Sequence, residues 1–228
     1  MSNRSMRGAG AIGFGAVVAA LAARSAWKNW GASIHEQQLD LPGDDLLTGP
    51  TTRTTRAIGI HASAEEVWPW LVQMGQGRGG MYSYDVLENL LGLHIHSVDR
   101  IIPQLQDLAV GDRISLVHEG WMGTPGYSLP VAIVDPNRAL VLRQQPPEHP
   151  WDATWAFVIV PQGHHRCRLL SRSASVQPPG LGGAVATLMG ELMDPVTLVM
   201  TRRMLIGIKE RAEAAHRCGM SSPHLQVA

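Results

Sequence analysis

Side chains that are able to do chemistry are concentrated between residues 82 and 100 of the chain. A carboxylate in such a group can act as a general base, and an arginine can stabilise an enolate-like oxyanion. An ion pair of Asp99 with Arg100 or Arg78 that only fixes a loop explains the same residues, and we favour it over catalysis. The polar group comprises Tyr82, Tyr84, Asp85, Glu88, Asp99 and Arg100, and the catalytic candidates within it are Tyr84, Asp85, Asp99 and Arg100.

Two other chemical motifs lack the context that they need. The pattern G-x-G-x-x-G occurs at residues 8–13 and 75–80. A dinucleotide site requires a strand before this pattern and a helix opening on it, and neither position provides both. His94, His96 and Asp99 lie close together in the sequence, but no further ligand signature accompanies them, so we interpret them as surface residues. We therefore expect no cofactor and no metal.

The composition indicates one globular domain and excludes some functions. Of the 228 residues, 45% are hydrophobic, which excludes a disordered chain. Nineteen Lys and Arg balance nineteen Asp and Glu, so the chain lacks the basic surplus of a dedicated nucleic-acid binder. We expect no nucleic-acid partner. Cys167 and Cys218 are too few for a disulfide framework, and we predict two free thiols.

Residues 8–23 form an uncharged stretch that ends at Arg24. As a helix this stretch would be roughly 24 Å long, which is shorter than the ~30 Å hydrocarbon core of a bilayer. It is interpreted as a short membrane anchor with Trp27 and Trp30 at the interface, as an export signal, or as a peripheral apolar helix. We favour the anchor and hence membrane association through residues 8–23, with a cytoplasmic location as the alternative.

The chain divides into four segments. Residues 1–30 contain the apolar helix, and residues 31–52 lose hydrophobic periodicity and form a linker that runs over the surface. Residues 53–217 carry the pattern of a folded domain, and residues 218–228 are predicted to be a disordered tail.

Within the domain, helical signals come first and strand signals follow. Ser63 and Glu66 form a capping box, which predicts a helix beginning at Ala64. The short turns between the later strands predict an antiparallel sheet. The full prediction is a strand at 56–61, a helix from Ala64, a short helix at 84–91, five strands at 113–118, 128–134, 139–144, 154–160 and 166–175, and a final helix at 184–216.

The last two strands and the final helix make sharper predictions. The strand at 154–160 is apolar on both faces, so both faces should be covered. In the last strand, Arg166, Arg168 and Arg172 share a face that we expect in solvent. Ser171 is on the other face and either lines a cavity or bonds the backbone. A break or kink in the final helix is expected at Asp194-Pro195.

The order strand, two helices, five antiparallel strands and a long helix is that of the helix-grip fold. The residues also resemble SRPBCC (START-like) proteins of the polyketide cyclase/dehydrase-like type over about residues 53–217. The resemblance implies an α+β fold in which a curved antiparallel sheet wraps around the C-terminal helix and leaves an apolar cavity. It lies in IHASAEEVWPWL (60–71), QMGQGRGG (73–80) and YSYD (82–85), with further matches at 99–101, 110–112, 139–142 and 154–157.

The resemblance implies a fold but no particular activity, because this superfamily includes carriers, receptors and enzymes. We expect a domain that binds a hydrophobic small molecule or lipid. An enzyme of cyclase, dehydratase or hydrolase type acting in the same cavity is one alternative, and a membrane-associated scaffold with a filled core is another. The residues expected to contact the ligand are Trp70, Met74, Arg78, Tyr82, Tyr84, Trp155, Ser171, Met200 and Met204.

Overall fold

The structure is a computed structural model that describes residues 24–25, 27–149, 151–177 and 179–220, with side chains to Cys218. The apolar stretch at 8–23 lies outside the described residues. The final helix continues to Met220, so the predicted boundary of the domain at residue 217 falls inside a helix. Residues 221–228, which make up most of the predicted tail, also lie outside the described part.

The elements follow the predicted order. A short helix (α1) precedes the first strand, two helices follow that strand, and five strands lead to the final helix. The bounds are α1 Ile34–Gln38, β1 Thr52–Ile60, α2 Ala64–Val72, α3 Asp85–Leu90, β2 Arg113–Val117, β3 Tyr127–Asp135, β4 Ala139–Gln144, β5 Asp152–Pro161, β6 Cys167–Val176 and α4 Leu181–Met220.

The six strands form one antiparallel sheet in the order β1-β6-β5-β4-β3-β2. The sheet packs against α2 and the C-terminal half of α4, and Phe157, Leu205 and Ile208 are fully buried between them. The helix-grip fold that the sequence predicts is therefore confirmed. Of the break or kink expected at Pro195, the break is wrong, because α4 continues as one helix through that residue.

Two local features fix the start of α2 and the approach of α4 to the loop before α3. Both bonds of the predicted capping box are present: Glu66 N–H donates to Ser63 Oγ, and Ser63 N–H donates to Glu66 Oε2. Gly207 lets α4 approach the loop before α3, since a Cβ atom there would lie 2.2 Å from the carbonyl oxygen of Tyr82. This contact sets the position of the loop and of α3 beside the sheet.

The outer face of the sheet is covered by residues 31–47, which we call the outer segment. Leu41 of this segment packs on Ala57, Val141 and Val158 of the sheet. Both faces of β5 are thus covered, as predicted. The outer segment runs over the sheet, as expected of the predicted linker. It is also part of the packed structure, because Leu41 and Leu47 are buried.

Arg172 corrects the prediction that the arginines of β6 lie in solvent. Only 1% of its side chain is exposed, because its guanidinium reaches under the outer segment. There it donates to the backbone carbonyls of Glu36 and Leu39 and forms an ion pair with Asp44. Arg168 is half-buried and pairs with Glu36 at 2.8 Å.

Candidate functional site

A cavity of about 540 Å³ lies between the sheet and α4. Its walls come from the inner face of the sheet, the loop before α3, α3 itself and the middle of α4. Most of the large side chains on these walls are apolar. They are Met81, Leu93, Ile95, Leu116, Leu129, Trp155, Met200 and Met204.

Three of the nine residues predicted to contact a ligand line this cavity, namely Trp155, Met200 and Met204. Ser171 does not line it, but its hydroxyl accepts a hydrogen bond of 2.9 Å from the indole N–H of Trp155 and so fixes that wall residue. Of the two alternatives for Ser171, a cavity wall or a bond to the backbone, the structure shows neither, because its hydroxyl bonds the side chain of Trp155.

Trp70, Met74 and Tyr82 were predicted to contact a ligand but belong to the packed core. Each is at most 3% exposed. The ring of Tyr82 lies edge-on to Trp70, and the guanidinium of Arg211 lies over its other side at 4.9 Å. These three side chains are therefore packed inside the core and do not line the cavity.

The remaining predicted residues lie away from the cavity. Arg78 is half-buried and donates to the backbone carbonyls of Val72 and Leu105, so it fixes the glycine-rich loop. Tyr84 is 42% exposed. It borders a second, smaller groove beside α3.

The four catalytic candidates do not converge on the cavity. Asp85 accepts two hydrogen bonds from Ser97, at 2.6 and 2.7 Å. Asp99 is 85% exposed and pairs with Arg211 at 2.7 Å, so the predicted ion pair exists with a different arginine. Arg100 is exposed, and its backbone carbonyl accepts from Gln73.

Glu88 is the acidic residue of the predicted polar group that reaches the cavity. It is 4% exposed and is the only buried residue of α3, while Val86 and Leu90 on the same helix are more than 80% exposed. Burial, together with the nearby Asp85 carboxylate, raises the pKa of Glu88 to about 7. The sequence places Glu88 among apolar residues of a short helix, and nothing in that pattern singles it out as the buried one.

The other end of the cavity is polar, and its charged groups bond one another or neighbouring oxygens, although the Nε atom of Arg56 is buried without an acceptor. Arg56 Nη1 donates to Thr201 Oγ1 at 2.9 Å and to the carbonyl oxygen of Thr197 at 3.2 Å. Burial lowers the pKa of the Arg56 guanidinium. Lys28 pairs with Glu191 at 2.8 Å and with Asp194 at 3.0 Å. These charged groups line the polar end of the cavity.

Groups suited to metal or nucleophilic chemistry are not assembled. Among residues 24–220, apart from the three undescribed positions in that range, no three His, Cys, Asp or Glu side chains are placed to hold a metal ion. Cys167 is buried, and burial raises the pKa of its thiol to about 11, so it is protonated and unreactive at neutral pH.

Comparisons with known proteins give structural neighbours. The chain matches no family profile and no curated protein. The Zhui aromatase/cyclase from Streptomyces sp. R1128 is 16% identical with a TM-score of 0.44, covering 74% of this chain and 97% of that one. A START superfamily protein from Mycobacterium smegmatis is 15% identical with a TM-score of 0.36, covering 72% and 98%.

A third neighbour is a point mutant of norcoclaurine synthase from Thalictrum flavum in complex with a transition-state analogue. It is 16% identical, has a TM-score of 0.41 and covers 75% of this chain and 99% of its own. At these levels of similarity, neither the activity nor the ligand of any neighbour transfers to this chain.

Proposed function

We propose that this chain binds a hydrophobic small molecule or lipid in the cavity between the sheet and α4. The observation that carries the proposal is a volume of about 540 Å³ with predominantly apolar walls. Ligand pockets have volumes of about 300–1,000 Å³ and similar walls. A scaffold whose core is filled by its own side chains would have no such space.

The binding proposal is tested by titrating the full-length protein with the apolar fluorophore N-phenyl-1-naphthylamine. We expect saturable binding to the wild type and at least about tenfold weaker binding to Met200→Trp, because the indole fills space that the ligand needs. Met193→Trp is the matched control, since Met193 lies on the same helix, is 50% exposed and is not part of the cavity wall.

Two outcomes would contradict the binding proposal. One is the absence of saturable binding to the folded wild type. The other is equal binding to the wild type and to Met200→Trp, which would mean that the fluorophore binds elsewhere on the surface.

Acid–base catalysis in the same cavity is a second candidate function. It is favoured by Glu88, because a carboxyl group with a pKa near neutrality in an enclosed site is suited to proton transfer. The candidates Tyr84, Asp85, Asp99 and Arg100 give it no support from their positions. A pH–rate profile with an inflection near 7 that is lost in Glu88→Gln would support catalysis over binding alone.

Membrane association is proposed as well, through residues 8–23 together with the apolar face of α4. Leu188 and Leu192 on this face are more than 60% exposed, whereas Leu205 and Ile208 further along α4 are fully buried. The buried half excludes a transmembrane position for the whole helix, although its length and composition would suffice for one. We therefore propose that α4 lies on the surface of a bilayer. The exposed face comprises Leu181, Val185, Leu188, Leu192, Val196 and Val199, which recur every three or four residues.

Two observations lead us to propose that a bilayer covers this face. Arg203 lies two turns beyond Val196, and it shares the smaller groove with Val86 and Leu90 of α3. The exposed apolar residues of α3 and α4 are therefore on one side of the molecule. The uncharged stretch 8–23 ends at Arg24, which pairs with Glu191 in the middle of the exposed part of α4.

Vesicle flotation of the full chain tests the membrane proposal. We expect the wild type to float with phosphatidylcholine vesicles and Leu188→Glu to bind at least about tenfold more weakly, because a leucine is worth about 1.5–3 kcal/mol on burial and the carboxylate adds a desolvation cost. Val110→Glu is the control, since Val110 is 64% exposed but lies on neither α3 nor α4. Flotation that is unchanged by Leu188→Glu, or a dimer that this substitution dissociates, would contradict the proposal.

A further inference from the structure

The orientation of α3 is unusual for an amphipathic helix at the surface of a domain. Its apolar residues Val86, Leu87 and Leu90 are 85%, 48% and 81% exposed, and its buried residue is Glu88. Burying an ionisable group in place of a leucine costs free energy unless that group has a partner. The position of Glu88 therefore requires an explanation that the packing of the protein does not provide.

Glu88 has no charged partner among the described residues. Its Oε2 atom is buried without a hydrogen-bond donor there, and the Ser83 hydroxyl is the neighbour that favours its charged form. The Asp85 carboxylate on the same helix repels it. The carboxyl group is thus shielded from water without being neutralised by the protein.

The cations around the cavity and α3 are bonded to other groups. Arg56 is bonded to Thr201 and Thr197, and Lys28 to Glu191 and Asp194. On the outer side of α3, Arg203 pairs with Glu210 at 2.9 Å, and Arg211 pairs with Asp99. Arg56 bonds neutral oxygen atoms and its Nε is buried without an acceptor, but neither it nor any other described cation pairs with Glu88. A hydrogen-bond donor for an ionised Glu88 is therefore left to the contents of the cavity.

Apart from Ser83, whose hydroxyl donates to the carbonyl oxygen of Met200, the wall around Glu88 is apolar. Met81, Leu93 and Ile95 from the loops on either side of α3 line the cavity together with Met200 and Met204 of α4. One carboxyl group in a wall of this kind selects a ligand that is apolar over most of its surface and polar at one point.

We propose that Glu88 is the polar anchor of the cavity and that the ligand is a hydrophobic molecule with a single hydrogen-bond-donating group, either a hydroxyl or an amine. This inference rests on the proposed binding function and specifies its ligand class. An ionised carboxylate only accepts hydrogen bonds, so a donor on the ligand replaces the water that Glu88 lost on burial. A hydrogen bond to a charged group contributes about 1.5–3 kcal/mol, which corresponds to an affinity change of roughly 10- to 150-fold.

The anchor is tested at pH 8 with four probes that share one decyl chain. Decylamine and 1-decanol carry a donor, decyl methyl ether lacks one, and decanoate carries a negative charge. Each is used to displace N-phenyl-1-naphthylamine from the full-length protein. We expect the amine and the alcohol to displace the fluorophore at concentrations at least about tenfold lower than the ether, and decanoate to be the weakest.

Two substitutions of Glu88 and one control make the test specific. In Glu88→Leu, which removes a buried carboxyl group and should fold, we expect alcohol, amine and ether to differ by less than about twofold. In Glu88→Gln, a retained preference for the alcohol with a lost preference for the amine identifies an ionic contribution to amine binding. Glu119→Gln changes an exposed glutamate outside the cavity wall and should leave all four affinities unchanged.

The experiment distinguishes a failure of the proposal that Glu88 is the anchor from a failure of the proposal that the cavity binds a ligand. A wild type that binds the fluorophore but does not distinguish the alcohol and amine from the ether would overturn the anchor and leave the cavity proposal standing. A preference that persists in Glu88→Leu would do the same. A wild type that fails to bind the fluorophore at all overturns the binding function on which the anchor rests.

Discussion

Arg172→Met is expected to lower the free energy of unfolding by about 3–5 kcal/mol, the usual loss when one partner of a buried ion pair is removed. The guanidinium of Arg172 is almost completely inaccessible to water, and methionine replaces its volume but none of its donors. The change leaves three backbone carbonyl groups without the donor that Arg172 supplies, and it leaves the Asp44 carboxylate with only the Leu41 N–H and the more distant Arg53. The groups that bond Arg172 are the carbonyl oxygens of Glu36, Gln37 and Leu39, the hydroxyl of Thr55 and the carboxylate of Asp44.

Urea denaturation of Arg172→Met, with Arg166→Met as the control, measures this effect. Arg166 is exposed and immediately precedes β6, so its replacement should change the stability by less than about 0.5 kcal/mol. Faster proteolysis within residues 34–46 would show that the outer segment detaches first. A loss below about 1 kcal/mol for Arg172→Met would mean that the outer segment is held mainly by Leu41 and its apolar neighbours.

The overall fold was predictable because its signals are local. The capping box of Ser63 and Glu66 fixed the start of α2, and the spacing of the turns indicated successive antiparallel strands. All five later strands occur within about two residues of their predicted bounds. The order of β2 to β6 follows from such hairpins, since neighbours in sequence become neighbours in the sheet, whereas β1 pairs with the distant β6.

The environment of Arg172 could not be predicted in the same way. Its partners in the outer segment are more than 120 positions away in the sequence, and alternation along β6 shows only that the arginines share a face. That β5 would be covered on both faces was clear from its apolar residues. Which segment covers the outer face depends on long-range packing that a single strand does not encode.

The candidate site was only partly predictable, because an apolar side chain has the same sequence signature in a solid core and in a cavity wall. Met200 and Met204 line the cavity, whereas Met74 and Trp70 belong to the packed core. Glu88 was noted as part of a polar group, but its inward direction depends on how the loop before α3 packs on Gly207.

The stability of Glu88→Gln should depend on pH in a way that reveals the buried carboxyl group. The pKa of Glu88 in the folded protein is about 7, against 4.5 as the ordinary value. Between these values the folded state holds a proton that the unfolded state has released. The stability of the wild type therefore falls as the pH rises from about 4.5 to 7 and stays at the lower level above it. Glutamine cannot ionise, so the variant does not show this loss.

We accordingly expect the ligand-free Glu88→Gln variant to be more stable than the wild type at pH 8, by up to roughly 3 kcal/mol, and to differ little from it near pH 4.5. Urea midpoints of both proteins across this range measure the difference. The other titratable groups are common to both proteins, so their contributions cancel in the difference. Glu119→Gln should show no such trend. A difference that is constant with pH, or a variant that is less stable at pH 8, would mean that Glu88 has a partner that stabilises its ionised form.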